Sequence, residues 1–152
     1  MLQAKMLEEI ESAIRDIHRS VTRMRRVKDQ VSSKMELLSD QEDTQSLKES
    51  GEAVLQAIET WENKLIQPRQ KTFQDVINFE NQLNAELNML RSRIDSYDPR
   101  QTEGARARSE ELLAEWAALR GEMEEIIEKE IATFNSEYRQ LDLPALILPV
   151  TE

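Results

Sequence analysis

The sequence predicts an all-α protein, an antiparallel four-helix bundle in up-down-up-down order, and three observations lead to that fold. Apolar residues recur at alternating steps of three and four through the first forty positions, which is the spacing of one helix face. The 152 residues include only 3 Gly and 4 Pro, and 33% are charged, a composition typical of long helices. Aromatic residues make up only 5%, and β-branched runs are absent, so buried strands are not predicted.

The first helix is predicted to run from about residue 3 to residue 38. Its apolar stripe misses one position, where Lys28 stands. A narrow stripe with a seven-residue repeat indicates that one side of this helix packs against partner helices. The stripe consists of Leu7, Ile10, Ile14, Ile17, Val21, Met24, Val31, Met35 and Leu38.

The second helix is predicted over residues 45–67. The polar segment 39–44 separates it from the first helix and offers several N-cap residues. Pro68 ends it, because a proline inside a helix loses a hydrogen bond and clashes with the preceding turn. Gly51 occupies a stripe position and marks either a fraying point or a close approach of two backbones. The other stripe residues are Leu47, Val54, Ile58, Trp61 and Leu65.

The third and fourth helices are predicted over residues 73–97 and 103–139. The third opens with a sequence similar to a capping box at 72–75, and Thr102 is the expected N-cap of the fourth. The fourth helix has the wider apolar stripe, so it is expected to contact two neighbours. That stripe consists of Leu112, Leu113, Trp116, Leu119, Met123, Ile126, Ile127, Ile131, Phe134 and Tyr138.

Chain length and connection lengths determine the predicted arrangement. A single domain over residues 1–152 is expected, as a part of a larger protein, because the first helix begins at the first residues without a capping residue. Short connections favour antiparallel neighbours, and a three-helix coiled coil is the main alternative to the four-helix bundle. The aliphatic tail 141–150 contains two prolines and is predicted to be extended, folded along the bundle or against a neighbour.

Net charge argues against nucleic acid as a general partner, because 30 acidic and 20 basic residues leave the chain at −10. One local exception lies in the middle of the first helix. This basic stretch is expected to stay solvated or to face the acidic residues of the fourth helix. The alternative is that it binds an anionic partner. The candidate interaction surface consists of Arg15, Arg19, Arg23 and Arg26.

The motifs that mark most active sites are not found in the sequence. It has no cysteine and only one histidine, His18, so thiol nucleophiles and His-based di-iron motifs are excluded. Adjacent glutamates at 8–9, 110–111 and 124–125 are expected to be solvated, since neighbours on a helix point about 100° apart. We predict no catalytic residue, no metal, no cofactor, no binding of nucleic acid and no membrane span.

Several segments resemble a known protein family. They read WENKLIQP at 61–68, TFQDVINF at 72–79, LN at 83–84, FN at 134–135 and LPAL at 143–146. Together they are similar to the C-terminal helical region of bacterial sortilin-like or BNR-repeat, glycosyl-hydrolase-like β-propeller proteins. The resemblance covers roughly residues 47–149.

The resemblance implies a periplasmic or extracellular parent protein whose propeller lies outside these residues, so no catalytic position is transferred to this chain. The expected role is a non-catalytic accessory domain that serves interaction, spacing or assembly, with its own propeller or another subunit as the partner. The alternative is a free-standing coiled-coil scaffold that forms homo-oligomers through the first helix. An enzyme would need a buried polar constellation that the sequence does not contain.

Overall fold

A computed structural model describes residues 2–41, 43–65, 82–95 and 102–142. In chain order, the described part begins with α1 (Leu2–Leu37), α2 (Gln45–Leu65), α3 (Gln82–Asp95) and α4 (Thr102–Ile126). A π-helical segment, Ile127–Ile131, joins α4 to α5 (Ala132–Gln140). The described residues contain no strand, which confirms the all-α class.

Burial along α1 follows the predicted apolar stripe. Ile10 and Ile17 are completely buried, because the three–four spacing places them on the same side of the helix. Leu7, Val21 and Met35 are only half-buried, so they lie at the edge of that side. The remaining stripe residues are buried: Ile14, Met24, Val31 and Leu38.

The turn between α1 and α2 is closed by local hydrogen bonds. The amide of Gln41 donates to the carbonyl of Leu38 at 3.0 Å, and Asp43 has a left-handed backbone with φ 61°. The first helical bond of α2 runs from the amide of Lys48 to the carbonyl of Thr44 at 2.9 Å. The Thr44 hydroxyl donates back to the carbonyl of Gln41 at 3.2 Å, so this side chain stabilises the turn and does not cap α2.

Gly51 is a packing point for side chains from two other helices, so it is neither a fraying point nor a close approach of two backbones. It is buried, and a Cβ built on it would collide with Sδ of Met35 and lie 3.3 Å from Cε2 of Phe134. The three residues belong to α2, α1 and α5 respectively. The missing side chain of Gly51 is therefore what allows the other two to pack there.

Replacing Gly51 with Leu is expected to lower the free energy of unfolding by about 1–3 kcal/mol, since Met35 and Phe134 must move to admit it. The matched control is Gly121→Leu, also in a helix, where no described atom lies within 4 Å of an added Cβ. That change should stabilise the chain by up to about 1 kcal/mol through helix propensity. Urea unfolding measures both. Equal effects at the two glycines would contradict this packing at Gly51.

Three predicted segments lie partly outside the described residues. Residues 66–67 of the predicted second helix, with its predicted end at Pro68, are outside them. So are residues 73–81 and 96–97 of the predicted third helix, with the capping box, and residues 143–150 of the predicted tail. The described helix α3 buries Leu83, Leu87 and Leu90, which follow one another at steps of four and three and therefore lie on one side of the helix.

The fourth predicted helix differs from expectation at its π-helical segment. None of the residues Ile127–Ile131 is buried, although Ile127 and Ile131 were predicted as stripe residues. A π turn forms hydrogen bonds to the fifth residue, so it breaks the three–four spacing. Burial resumes at Phe134 in α5.

The described helices contribute to two compact units. Unit 1 comprises residues 1–22 and 61–121, and unit 2 comprises residues 23–60 and 122–152. Each unit has its own apolar core, so single-domain folding over residues 1–152 stays a prediction. The largest buried side chains of unit 1 are Ile10, Ile17, Trp61, Leu65, Leu83, Leu87 and Leu112, and those of unit 2 are Met24, Val54 and Ile58.

None of the helices in the described part of the chain is long and apolar enough to cross a membrane.

Candidate interaction surface

The four candidate arginines lie on one side of α1. They are spaced at i, i+4, i+8 and i+11, which places them within about 80° of one another around the helix axis. All four are exposed. Arg15 and Arg19 belong to unit 1, and Arg23 and Arg26 belong to unit 2. We call this set of four residues the arginine face.

The arginine face makes no ion pair with any residue that the structure describes. Its positive charge is therefore not neutralised within that part of the chain. The same side of α1 also carries other exposed polar residues, of which Ser12, Thr22, Gln30 and Ser33 are uncharged, whereas Lys5 and Glu8, nearer the N-terminus, are charged. In a chain with a net charge of −10, this side of α1 is a local site of attraction for anionic groups.

Asp16, next to the arginine face in sequence, is occupied by contacts within unit 1. Its Oδ2 accepts a hydrogen bond from Nε1 of Trp116 at 3.0 Å and lies 3.3 Å from Nη1 of Arg120. The Asp16 side chain is about one-third exposed. Because α4 uses this carboxylate, it is not placed to neutralise the arginines.

A second tryptophan of unit 1 makes a buried polar contact. Nε1 of Trp61 donates to the carbonyl of Leu119 at 2.7 Å, and the Trp61 side chain is only 2% exposed. The indole of this α2 residue is therefore buried, and its single N–H donor is satisfied by a backbone carbonyl of α4. Sequence spacing predicted the burial of Trp61 but contains no signal for this partner.

Helix α4 also contacts α3 within unit 1. The guanidinium of Arg108 lies 3.2 Å from Oε1 of Glu86 and 3.1 Å from Oε2 of Glu111. These side chains are partly or largely exposed, so the pairs contribute about 0–1 kcal/mol each. The pair with Glu86 shows that α3 lies beside α4, but these pairs add little to the stability of the fold.

Polar contacts of unit 2 connect α1 and α2 with α5. The hydroxyl of Ser50 donates to Oε2 of Glu137 in a short hydrogen bond. Nζ of Lys34 lies 4.8 Å from the ring centre of Tyr138, within the range of a cation–π interaction. The rings of Phe134 and Tyr138 are stacked with centres 6.4 Å apart.

The structure also places the residues that were weighed as possible chemical groups. His18 is exposed on α1. The glutamate pairs at 8–9, 110–111 and 124–125 are exposed, which confirms that they form solvated surface. The described ranges hold no group of three or more His, Cys, Asp or Glu side chains that could bind a metal ion.

Comparison with known proteins gives no relative: no protein-family model matches the chain, and neither a curated protein nor a solved structure does.

Proposed function

We propose that this chain is a non-catalytic helical domain that binds a partner protein through its arginine face. The observation that carries the proposal is the set of four exposed guanidinium groups on one side of α1, without an ion pair in the described part of the chain. Exposed cations of this kind contribute little to the stability of the fold, but they speed association with an anionic partner and orient it. Arginine also binds carboxylates in a bidentate geometry.

We further propose that the partner is the β-propeller of a larger exported protein, to which this chain forms the C-terminal accessory domain. The support is the sequence resemblance to such proteins, which covers roughly residues 47–149. Reading the coding region immediately upstream tests this part. Repeated short strands with Asp-box turns are expected there, and another kind of sequence would contradict it.

For the helix arrangement we propose an antiparallel bundle in up-down-up-down order. The short connection between α1 and α2 supports antiparallel packing of these two helices. Within unit 1, α4 contacts each of the other helices through Asp16 of α1, Trp61 of α2 and Glu86 of α3. The three-helix coiled coil remains the alternative arrangement, because these contacts alone do not fix the direction of α3.

The second candidate function is a free-standing scaffold that self-associates through α1. The exposed arginine face favours partner binding but does not identify a second copy as the partner. Light scattering across a hundredfold range of protein concentration separates the two functions. The accessory domain predicts one mass at all concentrations, whereas a mass that rises with concentration would favour the scaffold.

Reversing charge on the arginine face is expected to weaken binding to the upstream propeller about tenfold or more, since like charges then face each other. The variant is Arg19→Glu with Arg23→Glu, and calorimetric titration measures the affinity. Its matched control is Lys48→Glu with Arg139→Glu, which makes the same change in net charge at exposed positions on other helices. The control should bind like the unmodified chain.

Because all of these residues are exposed, neither double variant should change the free energy of unfolding by more than about 0.5 kcal/mol per site. Equal weakening by the two variants would show that only net charge matters, and it would contradict a localised binding face.

A further inference from the structure

The chain leaves the last described helix through a closed turn. The amides of Leu141 and Asp142 donate to the carbonyls of Tyr138 and Arg139, each at 3.2 Å, and these bonds close the end of α5. Asp142 has a left-handed backbone with φ 49°, a conformation that commonly ends a helix. The backbone therefore turns away from the axis of α5 at Asp142.

This end of α5 lies close to the connection between α1 and α2, within unit 2. Glu137, in the last turn of α5, accepts a hydrogen bond from Ser50, near the start of α2. The ring centre of Tyr138 lies 4.8 Å from Nζ of Lys34, in the last turn of α1. The residues that follow Asp142 in the sequence therefore start beside the α1–α2 connection.

A surface depression of about 410 Å³ lies at the same connection. Its lining includes apolar residues from both sides, namely Met35 and Leu38 at the end of α1 and Leu47 in the first turn of α2. Leu37 is 41% exposed and is one of two large apolar side chains that are exposed in the described residues. This end of unit 2 therefore has both a depression of ligand-binding size and apolar surface that the described residues leave uncovered.

The sequence after Asp142 is strongly aliphatic. Residues 143–150 read LPALILPV, with five aliphatic side chains larger than alanine and two prolines. Such a segment is an aggregation hazard when it stays exposed, so burial is expected. Proline lacks an amide donor and does not fit a helix interior, so the carbonyls of an extended segment need donors from elsewhere. Gln41 and Lys48, which also line the depression, carry side-chain donors.

The distance from the end of α5 to the depression is short for a segment of this length. Lys34, which contacts Tyr138, is one helical turn or about 6 Å along the chain from Leu38. Eight extended residues span up to about 26–29 Å. Residues 143–150 are therefore long enough to cross the depression.

We propose that residues 143–150 lie in extended form across the α1–α2 connection of their own chain, with Leu146 and Ile147 in the depression. The segment would cover Leu37, and the polar lining residues would donate to its carbonyls. This inference goes beyond the proposed function and does not depend on the arginine face. It assigns the aliphatic tail to its own unit, where the sequence alone left a neighbouring molecule as the alternative.

Methyl NOE spectroscopy of the isotope-labelled full chain tests the proposed contact. Cross-peaks are expected between the methyl groups of Ile147 and those of Leu38 and Leu47. A sample mixed from labelled and unlabelled chains selects contacts between two copies, and none of these cross-peaks should appear in it.

Two variants of equal charge complete the test. Ile147→Asp should remove the cross-peaks, because a carboxylate is not stable in an apolar depression. It should also speed hydrogen exchange about tenfold at the amides of Gln41 and Lys48, which donate to backbone carbonyls in the connection. Thr151→Asp adds the same charge outside the proposed segment and should leave exchange within twofold. Circular dichroism of both variants establishes that the helices are intact.

An Ile147 side chain without cross-peaks to the α1–α2 connection, or with cross-peaks only between two copies, would overturn this inference. So would equal effects of the two variants on amide exchange. None of these outcomes touches the proposed function, because the propeller titration with the reversed arginine face tests that function independently.

Discussion

Replacing Ile17 with Asp is expected to leave the chain largely or wholly unfolded at 37 °C. Ile17 lies in α1 of unit 1 and is completely buried. A carboxylate at this position would lose its hydration without gaining a donor, so we expect a loss of at least about 3–5 kcal/mol. Domains are stable by only about 5–15 kcal/mol, so a loss of this size removes much or all of the margin.

The matched control for Ile17→Asp is Ser12→Asp, at an exposed position on the same helix and in the same unit. It introduces the same charge and should change the free energy of unfolding by about 0.5 kcal/mol or less. Urea denaturation followed by circular dichroism measures both variants. A small effect at Ile17, or equal effects at the two positions, would contradict the assignment of the buried side of α1.

Replacing Trp61 with Ala is expected to destabilise the chain almost as strongly. The change removes an almost completely buried indole of α2 and leaves a cavity in the core of unit 1. We expect the free energy of unfolding to fall by about 3–5 kcal/mol. It also leaves the carbonyl of Leu119 without the donor that now lies 2.7 Å away. Thermal and urea unfolding should therefore both shift strongly.

A second substitution separates packing from hydrogen bonding at Trp61. Trp61→Phe keeps most of the apolar contact and removes the donor, so it should cost less than Trp61→Ala. The lost hydrogen bond accounts for about 0.5–1.5 kcal/mol. If Trp61→Phe were as destabilising as Trp61→Ala, the bond to Leu119 would outweigh packing, which would contradict an apolar core built around this indole.

The sequence predicted most of the helices and the buried positions because both follow from local periodicity. Val54, Ile58 and Leu65 are predicted from three–four spacing alone and are completely buried. The end of α1 at Leu37 follows from the polar segment behind it. Such features need no knowledge of which helix packs against which.

Features that depend on long-range packing could not be predicted in the same way. The π-helical segment Ile127–Ile131 lies in a continuous apolar stripe, and periodicity favours a regular helix there. Asp16 and Trp116 are a hundred residues apart, so nothing local pairs them. Gly51 had two interpretations until the structure placed Met35 and Phe134 beside it.

The candidate site was predictable only as a pattern of charge. The spacing of Arg15, Arg19, Arg23 and Arg26 places them together on any helix, whatever the fold around it. Their lack of ion pairs within the described residues depends on the tertiary structure.

The most direct test of the proposed partner binding through the arginine face is to map the binding surface of the isotope-labelled chain, with the proposed propeller partner as the titrant. We predict that the largest changes fall on the backbone amides and the guanidinium Nε–H signals of Arg15, Arg19, Arg23 and Arg26. Binding that leaves these four signals unchanged, or a propeller that does not bind the folded chain at all, would contradict the proposed function.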